Sequence, residues 1–144
     1  MKQQSVVTMV AMSLVLMAGS AQAADGKSLY DRLGGKGAIT AVVETFVGNV
    51  GVDTRINGYF ASTNLTKLKE HLVNQICEAS GGPCKYTGRT MKHTHAGMGV
   101  TDAAFGALVD DLVSALDHHK VGKKEKDELL GILGPMKRDI VEKK

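Results

Sequence analysis

Tryptophan is absent from this 144-residue sequence, and phenylalanine and tyrosine occur only three times each. A core with so little aromatic bulk leaves space inside it unless a large, flat group occupies that space. Charge of one sign is scarce as well. Eighteen Lys and Arg against fifteen Asp and Glu leave a formal charge of +3, far from the excess needed to neutralise many phosphates, which argues against nucleic acid as a partner. The sequence has no Gly-x-Ser-x-Gly elbow, no phosphate-cradling loop ending in Lys-Ser or Lys-Thr and no His-Glu-x-x-His. Common hydrolase, nucleotide-binding and zinc-protease signatures are therefore missing. Sustained two-residue alternation is missing too, which leaves little from which to build a sheet. With 43% apolar and 23% charged residues, what remains is a globular chain, neither fibrous nor disordered.

The one long apolar run stands at the start. Lys2 precedes an apolar stretch from Val6 to Gly19, and Ala21-Gln22-Ala23 supplies small residues before Ala24-Asp25-Gly26. This is the layout of a secretory signal peptide over 1–23. The alternative, a membrane anchor, is disfavoured because the run is about fourteen residues long and a spanning helix needs roughly 20. The expectation is a single exported domain over 24–144, periplasmic or secreted, with no anchor after cleavage. An oxidising compartment permits Cys77 and Cys84 to bridge around Gly81-Gly82-Pro83; two reduced, partly buried thiols are the alternative. Neither reading makes a zinc site, which needs further Cys or His at short spacing.

The rest of the chain reads as helical, so the fold class is all-α. Ala38, Ile39, Val42, Val43, Phe46, Val47 and Val50 recur at three- and four-residue intervals after a breaker, Gly34-Gly35-Lys36-Gly37. Leu65, Leu68, His71, Leu72, Gln75, Ile76 and Ala79 form a second stripe, with Thr63 or Asn64 as N-cap and Ser80-Gly81-Gly82-Pro83 as the stop. A short helical segment from Thr90 to Met98 carries His93 and His95. Thr101-Asp102 caps a longer helix with Phe105, Leu108, Val109, Leu112, Val113 and Leu116 on one face. The final helix contains Leu129, Leu130, Ile132, Leu133, Met136, Ile140 and Val141, with Gly134-Pro135 as a kink or restart. Lys143 and Lys144 read as a solvated tail.

Five histidines fall in three groups: His71; His93 with His95; and His118 with His119. The adjacent pair could gather a transition metal, but at a helix end it is better explained by the helix dipole and solvent. His95 is different. It lies between Met91 and Met98 on a glycine-bracketed segment facing apolar helices that lack aromatic bulk. A haem would fill that space and needs an axial imidazole; a buried structural histidine is the competing explanation.

Ser28-Leu29-Tyr30-Asp31-Arg32-Leu33-Gly34-Gly35, Phe46, Asp53-Thr54-Arg55-Ile56 with Tyr59-Phe60, Gly81-Gly82-Pro83 with Tyr86-Thr87-Gly88-Arg89, and Met91-Lys92-His93-Thr94-His95 occur in that order. Together with Pro135-Met136-Lys137-Arg138-Asp139-Ile140-Val141, this series resembles a group I truncated haemoglobin. The resemblance implies a two-over-two helical sandwich, a shortened globin that holds haem b. It implies that His95 is the proximal ligand to iron and that Phe60 packs on the porphyrin face. Phe46 matches a packing position on the second helix and serves equally well as plain core, Met98 flanks the proximal segment, and Lys67, Arg89 and Lys92 are candidates for the propionates. His93, about 200° around the helix from His95, points away.

On the distal side the sequence departs from the family pattern. Val47 stands where a tyrosine is usual, and Leu68 and Leu72 stand where glutamines occur. Without a hydrogen-bond donor there, a ligand that gains negative charge on binding is poorly stabilised. His71 occupies the place where some members supply a sixth ligand; the alternative is that it reaches outward to a propionate or solvent. The resulting expectation is an exported haem protein for diatomic ligands, dioxygen, nitric oxide or carbon monoxide, with an electron donor as partner. A six-coordinate redox protein using His71 and His95 is the alternative. Nitric oxide dioxygenase chemistry ranks lower because the tyrosine is missing.

Overall fold

The computed structural model describes residues 26–144, so the signal-peptide reading lies outside the described residues. Among the described residues seven α-helices follow one another: α1 Leu29–Leu33, α2 Gly35–Val52, α3 Leu65–Ala79, α4 Met91–His95, α5 Asp102–His118, α6 Lys123–Leu133 and α7 Lys137–Ile140. Two 3-10 turns, Asn57–Phe60 and Gly134–Met136, complete the order. Among the described residues there is no strand, only an isolated bridge between Thr101 and Lys143. No described helix is long and apolar enough to cross a membrane.

Polar side chains start the helices where the sequence places them. Ser28 Oγ accepts from Asp31 N–H at 3.1 Å, Asn64 Oδ1 from Lys67 N–H at 3.1 Å, Thr90 Oγ1 from His93 N–H at 3.2 Å and Thr101 Oγ1 from Ala104 N–H at 3.0 Å, each satisfying an amide the helix itself cannot. The four-residue breaker before α2 is shorter than that: Gly34 and Gly35 carry the left-handed turn, at φ 101° and 80°, and α2 starts at Gly35 and takes in Gly37.

Helix α2 is the centre of the molecule, lying against α3 and α5, while α1 reaches both α2 and α6. Its Ile39, Val42, Val43, Phe46, Val47 and Val50 are all buried, and they meet Val73, Ile76 and Cys77 of α3, Leu112, Ala115 and Leu116 of α5 and Leu129 of α6 in one core. Arg32 fastens α1 to α6 through Glu125 at 3.1 Å and Glu128 at 2.7 Å.

Several expectations are corrected. Phe46 is the only buried aromatic side chain among the described residues, and valines make up much of the core around it. A void of about 10 Å³ between α1, α2, α3, α5 and α6 is bounded by Leu33, Ile39, Val42, Ile76, Leu116 and Leu129 among others, hardly room for one water. Leu65, at the first turn of α3, is 45% exposed because it precedes the part of the helix that packs on α2. The segment carrying His93 and His95 is helical only over Met91–His95, and Gly134-Pro135 makes a 3-10 junction between two helices. The C-terminal residues are not a free tail. Lys143 N–H donates to Val100 C=O at 3.1 Å and its own carbonyl accepts from Asp102 N–H at 3.1 Å. The Glu142 carboxylate accepts from Gly97 and Gly99 N–H at 3.2 and 3.0 Å.

Where α2 ends, Asp53 accepts from Arg55 Nε at 3.0 Å and from a terminal guanidinium nitrogen at 2.8 Å, and Arg55 also reaches Asp110. Asp111, 9% exposed, has one carboxyl oxygen without a partner. Burial, then the neighbouring Asp53 carboxylate, pushes Asp111 up to about 6, while Arg55 holds Asp53 down at about 2. The two act in opposite senses. The Asp53 contribution is present above the ordinary carboxylate range and is lost as pH falls through about 2; the Asp111 contribution is present below that range and is lost as pH rises through about 6. Asp111→Asn should therefore gain stability relative to the parent between pH 4 and pH 7, by about 1–2 kcal/mol at the upper end. Thermal melts across that range check it, and parallel curves for the two proteins would mean that Asp111 ionises normally.

Candidate functional site

Helix α4 is a single turn held at its start by Thr90, and it presents His95 at its end, half-buried. His95 Nδ1 lies 2.8 Å from the carbonyl oxygen of Met91, one turn back. A carbonyl can only accept, so Nδ1 carries the proton and Nε2 is left with its lone pair available. Fixing one ring nitrogen on a backbone carbonyl is the usual way a protein orients an imidazole toward a metal. His93 is exposed, as its position around the turn requires.

The face of α3 that looks toward α4 is identified by Gln75. Its amide Nε2 donates to the sulfur of Met91 at 3.5 Å and to that of Met136 at 3.4 Å. Leu68, His71 and Leu72 precede Gln75 by seven, four and three residues and share its face. All three are half-buried, as are Phe60, Met91, Met98, Phe105, Leu108, Met136 and Val141. These large apolar side chains pack on the core at one side and are left open at the other. His71 is the exception in that set, since its Nδ1 is buried with no hydrogen-bond partner. A ring nitrogen in that condition costs on the order of 1–3 kcal/mol unless something outside the chain pairs with it.

The remaining sequence-predicted residues divide cleanly. Phe46 and Val47 are sealed in the core at 5% exposure each, so Val47 presents no polar group to the open side. Lys67, Arg89 and Lys92 are exposed, and among the described residues none of them forms an ion pair. His119 bonds Thr45 Oγ1 at 2.7 Å and meets the His118 ring edge-on. No group of three or more His, Cys, Asp or Glu gathers for a metal among the described residues. Cys77 and Cys84 are bridged, with Cα atoms 5.7 Å apart, which settles the alternative left open by the sequence.

Gln75, Tyr86 and Glu142 escaped notice as site residues. Gln75 sat in an apolar stripe as its only polar amide, a signal that could have been read. Tyr86, whose ring packs edge-on against His71 at 5.8 Å between centroids, and Glu142 gave none, because their contacts depend on how loops fold back.

The family model for bacterial-like globins matches residues 28–142, and the group 1 truncated haemoglobin of Mycolicibacterium paratuberculosis is 38% identical over 81% of this chain and 86% of its own. The chain belongs to the bacterial-like globins. A second group 1 truncated haemoglobin, from a Nostoc species, is 32% identical over 81% of this chain and 98% of its own. Among solved structures, the truncated haemoglobin of Tetrahymena pyriformis in its Fe(III) form superimposes with a TM-score of 0.77 at 25% identity, covering 80% of this chain and 98% of that one. The 2/2 haemoglobin of Synechococcus sp. PCC 7002, in the cyanomet state with covalently attached haem, gives 0.75 at 34% identity over the same shares. The globin fold here is thus the two-over-two helical sandwich, and globins are haem proteins.

Proposed function

We propose that this globin holds haem b between α3 and α4, with His95 Nε2 as the proximal ligand, and that it binds dioxygen, nitric oxide or carbon monoxide on the α3 side. The observation that carries the reading is the bond from His95 Nδ1 to the Met91 carbonyl, which leaves Nε2 free at the edge of an apolar, half-buried surface. The residues present fit the group. Phe60, Leu68, Leu72 and Met98 offer apolar contacts to a porphyrin, the exposed Lys67, Arg89 and Lys92 are placed for carboxylates at a solvent edge, and the orphaned nitrogen of His71 lacks a partner that the chain does not supply. When bound, haem supplies an iron coordination site for small diatomic molecules.

The chain's own residues set how that site behaves. Val47, Leu68 and Leu72 exclude water and donate no hydrogen bond, which favours small apolar ligands and works against stabilising a negatively charged one. The nitric oxide dioxygenase reaction therefore ranks below reversible binding. His71 supports a second reading, a six-coordinate bis-histidyl protein for electron transfer or redox sensing, because one of its ring nitrogens is buried without a partner in the chain. Either use needs an electron donor to keep the iron ferrous. Absorption spectra of the purified protein, ferric and ferrous, with and without carbon monoxide, test the proposal. A haem spectrum with His-ligated iron and a carbon monoxide adduct is expected; protein that takes up no haem from equimolar solution would reject it.

The place of action proposed is outside the cytoplasm, on the strength of the apolar run ahead of Ala21-Gln22-Ala23 and of a disulfide that a reducing cytosol would not maintain. N-terminal sequencing of exported material should begin at or near Ala24. Retention of Met1 in cytosolic protein would reject export.

A further inference from the structure

Tyr86 lies in the loop between α3 and α4, and four features hold it there. The Cys77–Cys84 bridge ties the loop to α3 two residues earlier. Tyr86 N–H donates to the Glu78 carboxylate of α3 at 3.0 Å, and the Tyr86 hydroxyl donates to the Arg89 carbonyl at 2.7 Å. The ring folds back over Gly88, where a Cβ would crowd the tyrosine hydroxyl. Partial burial raises the pKa of the phenol, which keeps the hydroxyl a donor. What this held ring touches is the imidazole of His71, at 72° between planes.

From this geometry we infer that Tyr86 is a positioning residue for His71, an aromatic wall that blocks the imidazole from rotating toward solvent and keeps it on the side facing α4. The inference rests on the reading that this side is where haem binds. An edge-to-face ring pair shifts an equilibrium by about two- to tenfold beyond the burial it provides, so removing the wall should lower the ratio of inward- to outward-facing His71 by that factor. The disulfide acts through the same contact. Loosening the loop at Cys84 frees Tyr86 to leave, whereas the Glu78 and Arg89 bonds alone hold only the loop to itself and to the next turn of α3.

Two readouts separate this inference from the haem assignment. The first needs no haem: NMR of the full chain with a labelled His71 ring should show one ring environment displaced by the Tyr86 ring current. Tyr86→Phe should keep that displacement and Tyr86→Ala should abolish it, with Cys84→Ser in between. Equal His71 spectra for the parent and Tyr86→Ala would overturn the inference whatever the chain does with haem. In the second readout, on haem-loaded protein, the ratio of six- to five-coordinate iron should fall about two- to tenfold in Tyr86→Ala and be retained in Tyr86→Phe. An unchanged fraction in Tyr86→Ala, when His71→Leu does alter it, would also overturn the positioning role. If His71→Leu alters nothing, His71 is not a ligand; the positioning of His71 on the side facing haem then fails with it, even where NMR shows the rings in contact.

Discussion

Purified protein carrying His95→Ala is expected to show no haem absorption above background after mixing with equimolar haem, and added imidazole is expected to restore part of it. The expectation follows from the number of available donors. His95 is the histidine whose Nδ1 is engaged by its own helix turn, which fixes ring orientation before any ligand arrives. His93, two residues away, is exposed and has no such bond, so His93→Ala should leave the spectrum within about twofold of the parent, as surface substitutions generally do. A pigmented His95→Ala protein with the parent spectrum would remove the basis for the proximal assignment. Loss of pigment in both variants would mean instead that α4 as a whole is needed.

His71→Leu should accelerate carbon monoxide binding to the ferrous protein. A neutral imidazole tethered beside an apolar site competes at high effective concentration with any incoming molecule, and the apparent affinity for that molecule falls in proportion to the fraction of protein that remains open. If nine-tenths of the resting protein is closed by His71, the gain on replacing it is roughly tenfold. The resting spectrum should change as well, from low-spin six-coordinate to five-coordinate. Stopped-flow mixing with carbon monoxide measures the first effect and a static spectrum the second. If the parent is already five-coordinate and its binding rate matches that of His71→Leu, His71 belongs to the solvent edge, and the protein is a gas binder with an undefended apolar cavity.

The helices could be read from the sequence because they depend on near neighbours. Periodicity placed Val42, Val43, Phe46 and Val50 on one buried face of α2, and Asn64 and Thr101 cap the helices they precede. Where the reading went wrong, distant packing decided. The stretch Gly34-Gly35-Lys36-Gly37 reads as one breaker, yet only Gly34 and Gly35 take a positive φ, and Gly37 lies within α2. The scarcity of aromatics is matched in the core by β-branched valines, with half-buried apolar side chains packed around it. Asp111 gave no warning at all. A single aspartate on a helix normally faces water, and its burial follows from how α5 crosses the end of α2.

The two sides of the site are secured over very different stretches of chain. On the α3 side the tether joins residues seven apart, whereas the amides of Gly97 and Gly99, just beyond His95, are held by Glu142 across 45 and 43 residues. Contacts that close short segments form early and cheaply, while those that close long ones wait for the intervening chain to be arranged. On that ground the loop carrying Tyr86 is tied to α3 by a local closure, whereas the loop next to His95 depends on the C-terminal segment being in place. If haem binds at His95 as proposed, its capture is coupled to the docking of Glu142 on Gly97 and Gly99.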